Sequence, residues 1–250
     1  MTSTRRLALA AGVLYLLTFA TSIPAFFFYE PVLTDPLGGG THTMVILGAF
    51  LELACAIFGI GTAVAAYPVI RRQSQAASLG FVTTRTFEAA VMVIGVIALL
   101  SIVSLRQAGP TAGTDTVAMT AVGQMLVEVR NHTAVLGPGL VPGLNALCFG
   151  YALYRSRLVP RLIPVLGLIG APLFLAAVTA RIFGLDSGES LFAAIALAPI
   201  FLWELSVGVW MTFKGFNASA LAALGFDRAA GGTEGPIGPQ AAVATKASAA

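Results

Sequence analysis

The chain has 250 residues, of which 57% are hydrophobic and only 10% charged, and its formal net charge is +3. A soluble domain carries about 25% charged residues, so this composition excludes a soluble globular protein. The apolar residues lie in runs long enough for helices that cross a bilayer, which need about 20 residues. They do not alternate with polar residues as the strands of a membrane barrel do. We therefore predict an all-α membrane protein.

Six transmembrane helices are predicted, at residues 7–28, 44–70, 79–105, 133–154, 162–183 and 191–213. The first helix follows two arginines, as a signal peptide would, but its apolar run exceeds the roughly 7–15 residues of a signal sequence. We interpret it as a retained signal anchor. The transmembrane domain is expected to occupy residues 1–216. Residues 217–250 are rich in Ala, Gly and Pro and are expected to form a disordered cytoplasmic tail.

The basic residues indicate how the bundle is oriented. One side collects Arg5, Arg6, Arg71, Arg72, Arg155, Arg157, Arg161 and Lys214, and the tail adds Arg228 and Lys246. The loops of the opposite side contain only Arg106 and Arg130. Because cytoplasmic loops are enriched in Lys and Arg, both termini are expected in the cytoplasm. The net positive charge then needs only anionic lipid as a partner, and no nucleic acid is predicted.

Two segments around the fourth helix have more than one interpretation. The loop at 106–132 shows a weak helical pattern, which indicates either an interfacial helix or a helical prelude to the fourth span. Within that span, "NHTAVLGPGLVPGLN" places Pro138 and Pro142 four residues apart among glycines. Proline removes a backbone donor and disrupts the preceding turn. We favour a kink in a packed helix, and the alternative is a broken helix that lines a cavity, as in transporters.

Six polar or charged side chains lie in or at the ends of the spans, namely Glu52, Arg85, Glu88, Asn145, Arg181 and Glu204. Ionisable residues in such positions normally face the interior of the bundle or a wet cavity. Glycines recur on the faces that carry two of the glutamates, and small residues permit close helix packing in lipid. We therefore expect these side chains to point into the bundle. Arg181, at the outer end of the fifth helix, matches Glu52 in depth.

Arg85 and Glu88 are three residues apart, share one helix face and are predicted to pair. Breaking such a pair should cost more than removing both charges. Glu204 lies at a similar depth to Glu88. Since Arg85 keeps Glu88 ionised, we expect Glu204 to hold a proton near neutral pH. The alternatives are an ion pair that only fixes helix register, a proton relay or ligand cavity, and an interface with an unknown partner.

Other chemistry is scarce in the sequence. His42 and His132 lie at outer helix ends without a spacing that indicates haem or metal ligation, and Cys55 and Cys148 show no metal spacing. No phosphate-binding, nucleophile-elbow or dinucleotide motif is present. We predict no cofactor and no metal, and we assign no catalytic residue.

Several long stretches are similar to one bacterial family of six-span membrane proteins. They include "GPGLVPGLNAL" and "YRSRLVPR" within residues 130–173, "TRTFEAA" of the third helix and "WELSVGVWMTFKGF" of the sixth. Together they resemble the family described as domain of unknown function 4386, over about residues 7–216. The resemblance implies a bacterial inner-membrane location. It implies no activity, substrate or site residue.

Three functional hypotheses follow. The first is a protein that binds or transports a small molecule or proton through an intramembrane polar site. The second is a structural or accessory subunit whose charged faces meet a protein partner. The third is an intramembrane enzyme that acts on a lipid or quinone, for which only the carboxylates could supply acid or base chemistry.

Overall fold

The structure is a computed structural model that describes residues 2–109, 115–188 and 190–226. Every element in these ranges is a helix. In chain order they are α1 Ser3–Thr34, α2 His42–Ile70, α3 Gln75–Ala108, α4 Thr116–Leu136, α5 Val141–Ser156, α6 Leu162–Ile182, α7 Leu191–Phe213 and the short α8 Ala218–Ala223. Six helical segments are long and apolar enough to cross a membrane, and α4 and α5 together form one of them. The predicted all-α bundle of six spans is confirmed.

The fourth span begins earlier than predicted. Most of the expected loop at 106–132 is helical, because α4 starts at Thr116 and continues through His132 without interruption. The Asp115 side chain caps the start of α4 by accepting a hydrogen bond from the backbone N–H of Val117 at 2.9 Å. The segment is therefore a helical prelude that is continuous with the span, and it packs mainly against α3.

The fourth span is also broken rather than kinked. Helix α4 ends at Leu136 and α5 begins at Val141, with a turn between them. In this turn the Gly139 N–H donates to the Ala134 carbonyl at 2.8 Å. A Cβ atom at Gly139 would lie 2.5 Å from the Val135 carbonyl oxygen, so no larger residue fits the turn as it stands. The favoured interpretation of a simple kink was wrong, because two prolines and this tight turn together end the first helix.

The helices close into a ring. Helix α1 packs against α2 and α7, α3 packs against α2, α4 and α5, and α6 packs against α5 and α7. We call the end of the bundle where α1 begins and α7 ends the basic end, and the opposite end the far end. Near the basic end, Phe81 stacks on Phe149, whose ring also meets Trp203 edge-on. Helix α6 approaches so closely that a Cβ at Gly167 would lie 2.6 Å from the Trp203 ring.

Side chains secure two loops at the far end of the bundle. At the far end, Arg106 donates to four backbone carbonyls between Asp35 and Gly40, which ties the end of α3 to the α1–α2 loop. Before α7, the Ser190 hydroxyl and the Gly188 N–H donate to the Asp186 carboxylate, and these hydrogen bonds hold the pKa of Asp186 below its ordinary value. Both loops are thereby shaped by single polar side chains.

The first ten residues of the predicted tail are ordered against the bundle. We predicted disorder from residue 217 onwards, but the Asn217 backbone N–H donates to the Leu158 carbonyl at 2.9 Å, and α8 follows directly. Leu221, Leu224 and Phe226 pack against the main apolar core. Residues 217–226 therefore belong to the helical domain. The rest of the predicted tail, residues 227–250, lies outside the described residues.

Candidate functional site

A cavity of about 490 Å³ lies between the helices. All seven long helices contribute to its wall, and the residues that line it extend from Glu204 in α7 to Leu33 and Arg181 near the far ends of α1 and α6. Most of the wall is apolar, and its charged side chains other than the exposed Arg181 are gathered in two groups. The volume lies within the roughly 300–1,000 Å³ that is usual for small-molecule sites.

The first group, which we call the Arg85 cluster, consists of Tyr15, Arg85, Glu88, Asn145 and Glu204. Arg85 is 5% exposed and donates from one terminal nitrogen to Glu88 and from the other to Glu204, each at 3.0 Å. Asn145 donates to Glu88 at 2.9 Å, and the Tyr15 hydroxyl donates to Glu204 at 3.1 Å. The predicted pair of Arg85 and Glu88 is confirmed, but Arg85 has a second carboxylate as well.

One oxygen of each carboxylate in this cluster has no hydrogen-bond donor. Arg85 and Asn145 both donate to Oε2 of Glu88, and Arg85 and Tyr15 both donate to Oε1 of Glu204. Within the described part of the chain, no donor reaches Glu88 Oε1 or Glu204 Oε2. Neither oxygen is among the fully buried polar atoms that lack a partner, and both residues line the cavity. The two free oxygens are therefore accessible from the cavity.

The second group, the Arg130 cluster, consists of Tyr29, Glu52 and Arg130. One terminal nitrogen of Arg130 lies 2.9 and 3.1 Å from the two oxygens of Glu52, and it also donates to the Tyr29 hydroxyl. The side chains of Arg130 and Glu52 are each 5% exposed. Both oxygens of Glu52 are therefore engaged by one arginine. This cluster is neutral when both groups are ionised.

Both ion pairs join helices that share few other contacts. Arg85 and Glu204 link α3 to α7, and Arg130 and Glu52 link α4 to α2, while the extensive packing in the ring involves other pairs of helices. Intramembrane charges cost about 2.5–3.5 kcal/mol each on insertion scales, and pairing offsets part of that cost. The ion pairs are thus cross-links through the interior of the bundle.

Helix α1 contributes a tyrosine to each cluster. The Arg85 guanidinium lies 4.9 Å from the centre of the Tyr15 ring, and the Arg130 guanidinium lies 4.7 Å from that of Tyr29. The two tyrosines are 14 residues apart, about 21 Å along a helix, and Pro24 lies between them. A cation over an aromatic face is attracted by the ring quadrupole, so α1 contacts both arginines in the same way.

Two glycines make room for the arginine side chains. Gly95 of α3 faces Arg130, and a Cβ there would lie 3.2 Å from Arg130 Cδ and 2.7 Å from the Thr133 hydroxyl. Gly59 of α2 faces Arg85, but a Cβ there would meet Arg85 Cδ only at 3.8 Å, an ordinary contact. The fit is therefore tight around Arg130 and looser around Arg85.

The predicted polar residues are distributed over the two clusters. Arg85, Glu88, Asn145 and Glu204 meet in one, and Glu52 belongs to the other. Arg181 is exposed and lies at the far end of the cavity, and Glu52 pairs with Arg130 instead. Pro138 and Pro142 both line the cavity. The expectation that Arg85 serves Glu88 alone, and so leaves Glu204 without a positive charge, does not agree with the structure.

Sequence reasoning missed Arg130, Tyr15, Tyr29 and Thr84. Arg130 was assigned to a loop, although Met119, Gly123, Val127 and Thr133 lie on the same buried face of α4, and this spacing was the available signal. Thr84 lies one turn of α3 before Glu88, and its hydroxyl is 2.6 Å from the Asn145 side-chain oxygen. The tyrosines gave no signal, because aromatic residues are common in apolar helices.

His42 and His132 are exposed. Across the described ranges, no group of three or more His, Cys, Asp or Glu side chains could hold a metal ion.

Comparison with known proteins identifies the family. The family described as "Domain of unknown function (DUF4386)" matches residues 10–215, which cover nearly the whole helical bundle. The chain therefore belongs to this family. No protein of curated function and no solved structure matches it.

Proposed function

We propose that this member of the DUF4386 family binds a small molecule in the cavity between its helices and moves it across a bacterial inner membrane. The observation that carries the proposal is the position of both buried ionic clusters on the wall of a single cavity. Ionisable residues inside a membrane are costly, and they mark ligand and ion pathways more often than they serve packing alone.

Two further features support a ligand site. The cavity wall is mostly apolar with a few convergent polar groups, which is the usual composition of a small-molecule site. The break between α4 and α5 lies at the cavity. Irregular backbone at membrane depth is tolerated where it lines a cavity or is buried in protein, and broken helices form the binding sites of many transporters.

Two adjacent alanines provide the test. Ala89 lines the cavity and is 5% exposed, whereas Ala90 is exposed on the outer face of α3. A strain that lacks the gene should be compared with its parent by untargeted metabolite and lipid analysis, after complementation with wild type, Ala89→Leu or Ala90→Leu. We expect wild type and Ala90→Leu to restore the parental profile and Ala89→Leu to fail, because leucine fills the cavity only from position 89.

Membrane levels of both variants should be measured in the same strains, so that a failure of Ala89→Leu is not a failure of expression. Equal restoration by both variants would show that the cavity is not used. The accessory-subunit hypothesis would then replace the ligand hypothesis. A change confined to one class of lipid or quinone would favour the intramembrane enzyme.

We also propose that the basic end of the bundle faces the cytoplasm. Support comes from the basic residues at this end, since cytoplasmic loops are enriched in them. They are Arg71 and Arg72 after α2, Arg155 in the last turn of α5, Arg157 and Arg161 between α5 and α6, and Lys214 after α7. Reporter fusions after Arg72 and after Lys214 should score as cytoplasmic, and one near Asp115 should score as external. A cytoplasmic score near Asp115 would overturn this orientation.

A further inference from the structure

The Arg85 cluster has more negative than positive charge. Arg85 supplies one positive charge, and Glu88 and Glu204 supply two negative charges when both are ionised. The helices packed around the two carboxylates bring Tyr15 from α1, Cys55 from α2 and Asn145 from α5, and none of these side chains carries a positive charge at neutral pH. The other buried arginine of the cavity, Arg130, is already paired with Glu52.

Arg181 does not balance this charge either. It is exposed and lies at the far end of the cavity, beside Asp186 and Gly188. One unit of negative charge is therefore left uncompensated in the interior of the bundle, where unpaired charge is costly.

We infer that the Arg85 cluster holds one exchangeable proton, which the cavity-facing oxygens of Glu88 and Glu204 take up and release. Arg85 bridges the two carboxylates through one oxygen of each and leaves the second oxygen of each open to the cavity. Two carboxylates that share a site ionise in two coupled steps, and one of them keeps its proton. The proton makes the cluster neutral, as the Arg130 cluster already is.

A protonation site on the cavity wall gives the proposed transport a coupling ion, and this last step rests on the proposed function. When a ligand brings its own positive charge to the two free oxygens, the proton is no longer needed and leaves. When the ligand departs, a proton returns. The cavity would then exchange a cationic ligand for a proton.

Infrared spectroscopy of the purified full-length protein near pH 7 tests the inference without any ligand. A protonated carboxyl group gives a carbonyl band that shifts in D₂O. We expect this band in wild type and its loss in both Glu88→Gln and Glu204→Gln, because Arg85 then neutralises the single carboxylate that is left. Glutamine keeps the size of the side chain, so both variants should fold.

Two controls locate the band. Glu52→Gln should leave it unchanged, because Glu52 belongs to the neutral cluster, and Glu88→Asp should retain it, because the charge count is unchanged. Absence of the band in wild type would overturn the inference. So would persistence of the band in Glu88→Gln, which would show a carboxyl that is protonated irrespective of the charge balance around Arg85.

The two proposals fail separately. If Ala89→Leu fails to restore the parental profile but the wild-type protein shows no carbonyl band, the ligand proposal stands and the proton proposal fails. If the wild-type protein shows the carbonyl band but Ala89→Leu fully restores the parental profile, the proton proposal stands and the ligand proposal fails.

Discussion

The Arg85 and Arg130 clusters each combine arginine, tyrosine and glutamate, and yet they differ in charge balance. Each places an arginine over a tyrosine of α1 and against a glutamate from a helix with which its own helix shares few other contacts. In the Arg130 cluster, one arginine engages both oxygens of one carboxylate. In the Arg85 cluster, one arginine serves two carboxylates and each keeps a free oxygen.

This difference in charge balance distinguishes a structural ion pair, the Arg130 cluster, from a potential binding site, the Arg85 cluster. A neutral pair whose acceptors are all engaged has nothing left to bind, so its main contribution is to hold α2 against α4. A cluster with free acceptors and an excess of negative charge has both the geometry and the electrostatic need for a cation or proton. Binding of a cation or proton is therefore expected at the Arg85 cluster, and mainly structural stabilisation at the Arg130 cluster.

The largest effect is expected from Arg85→Leu, which removes the positive charge that pairs with both Glu88 and Glu204. Removing one partner of a buried pair costs about 3–5 kcal/mol, and this variant should lose at least that much in thermal unfolding in detergent. Arg6→Leu, at an exposed position in α1, is the control.

The structure also changes the stability expected for the double variant of Arg85 and Glu88. Glu204 also depends on Arg85, so adding Glu88→Leu to Arg85→Leu still leaves a stranded carboxylate and should recover little stability. Glu88→Leu alone should destabilise the protein less than Arg85→Leu, because Arg85 and Glu204 remain as a neutral pair. Full recovery in the Arg85→Leu, Glu88→Leu double variant would show that Glu204 is not part of the cluster.

The Arg130 cluster should show the opposite pattern. Arg130→Leu and Glu52→Leu each strand one buried charge and should each cost about 3–5 kcal/mol. The double variant removes both charges and should cost clearly less than the sum of the two single losses. The same thermal unfolding measurement gives all three values, and strictly additive losses would contradict the pairing.

The smallest effect is expected from the glycines beside the arginines. Gly95→Ala should destabilise the protein by about 1–3 kcal/mol, the usual range for overpacking, because the new methyl group collides with the Thr133 hydroxyl and presses on Arg130. Gly59→Ala should be neutral or stabilising, since its methyl group meets Arg85 at an ordinary distance and alanine favours the helix. Equal unfolding temperatures for the two variants would mean that the fit around Arg130 is not tight.

The architecture was predictable from the sequence because long apolar runs leave a chain in lipid few alternatives to helices. The pair of Arg85 and Glu88 was predictable for a similar reason, since three residues along a helix fix their relation. The contact between Arg85 and Glu204 was not, because it spans 119 residues. A sequence gives depth along each helix but not which helices face one another.

The residue missed with the largest consequence was Arg130. Its helix starts in a segment with few apolar runs, so the sequence suggested a loop, and no partner for Glu52 was predicted. The tail was misjudged for a related reason. Its alanine-rich start looked featureless, but α8 is stabilised by packing against the bundle and not by a pattern of its own.

Pro24 interrupts the backbone hydrogen bonding of α1. It lies between the tyrosine of one cluster and the tyrosine of the other, at a point where the helix lacks one backbone hydrogen bond and bends at low cost. The backbone of α1 is therefore less rigidly held between Tyr15 and Tyr29 than in a helix without proline, so α1 couples the two clusters less stiffly than its length suggests.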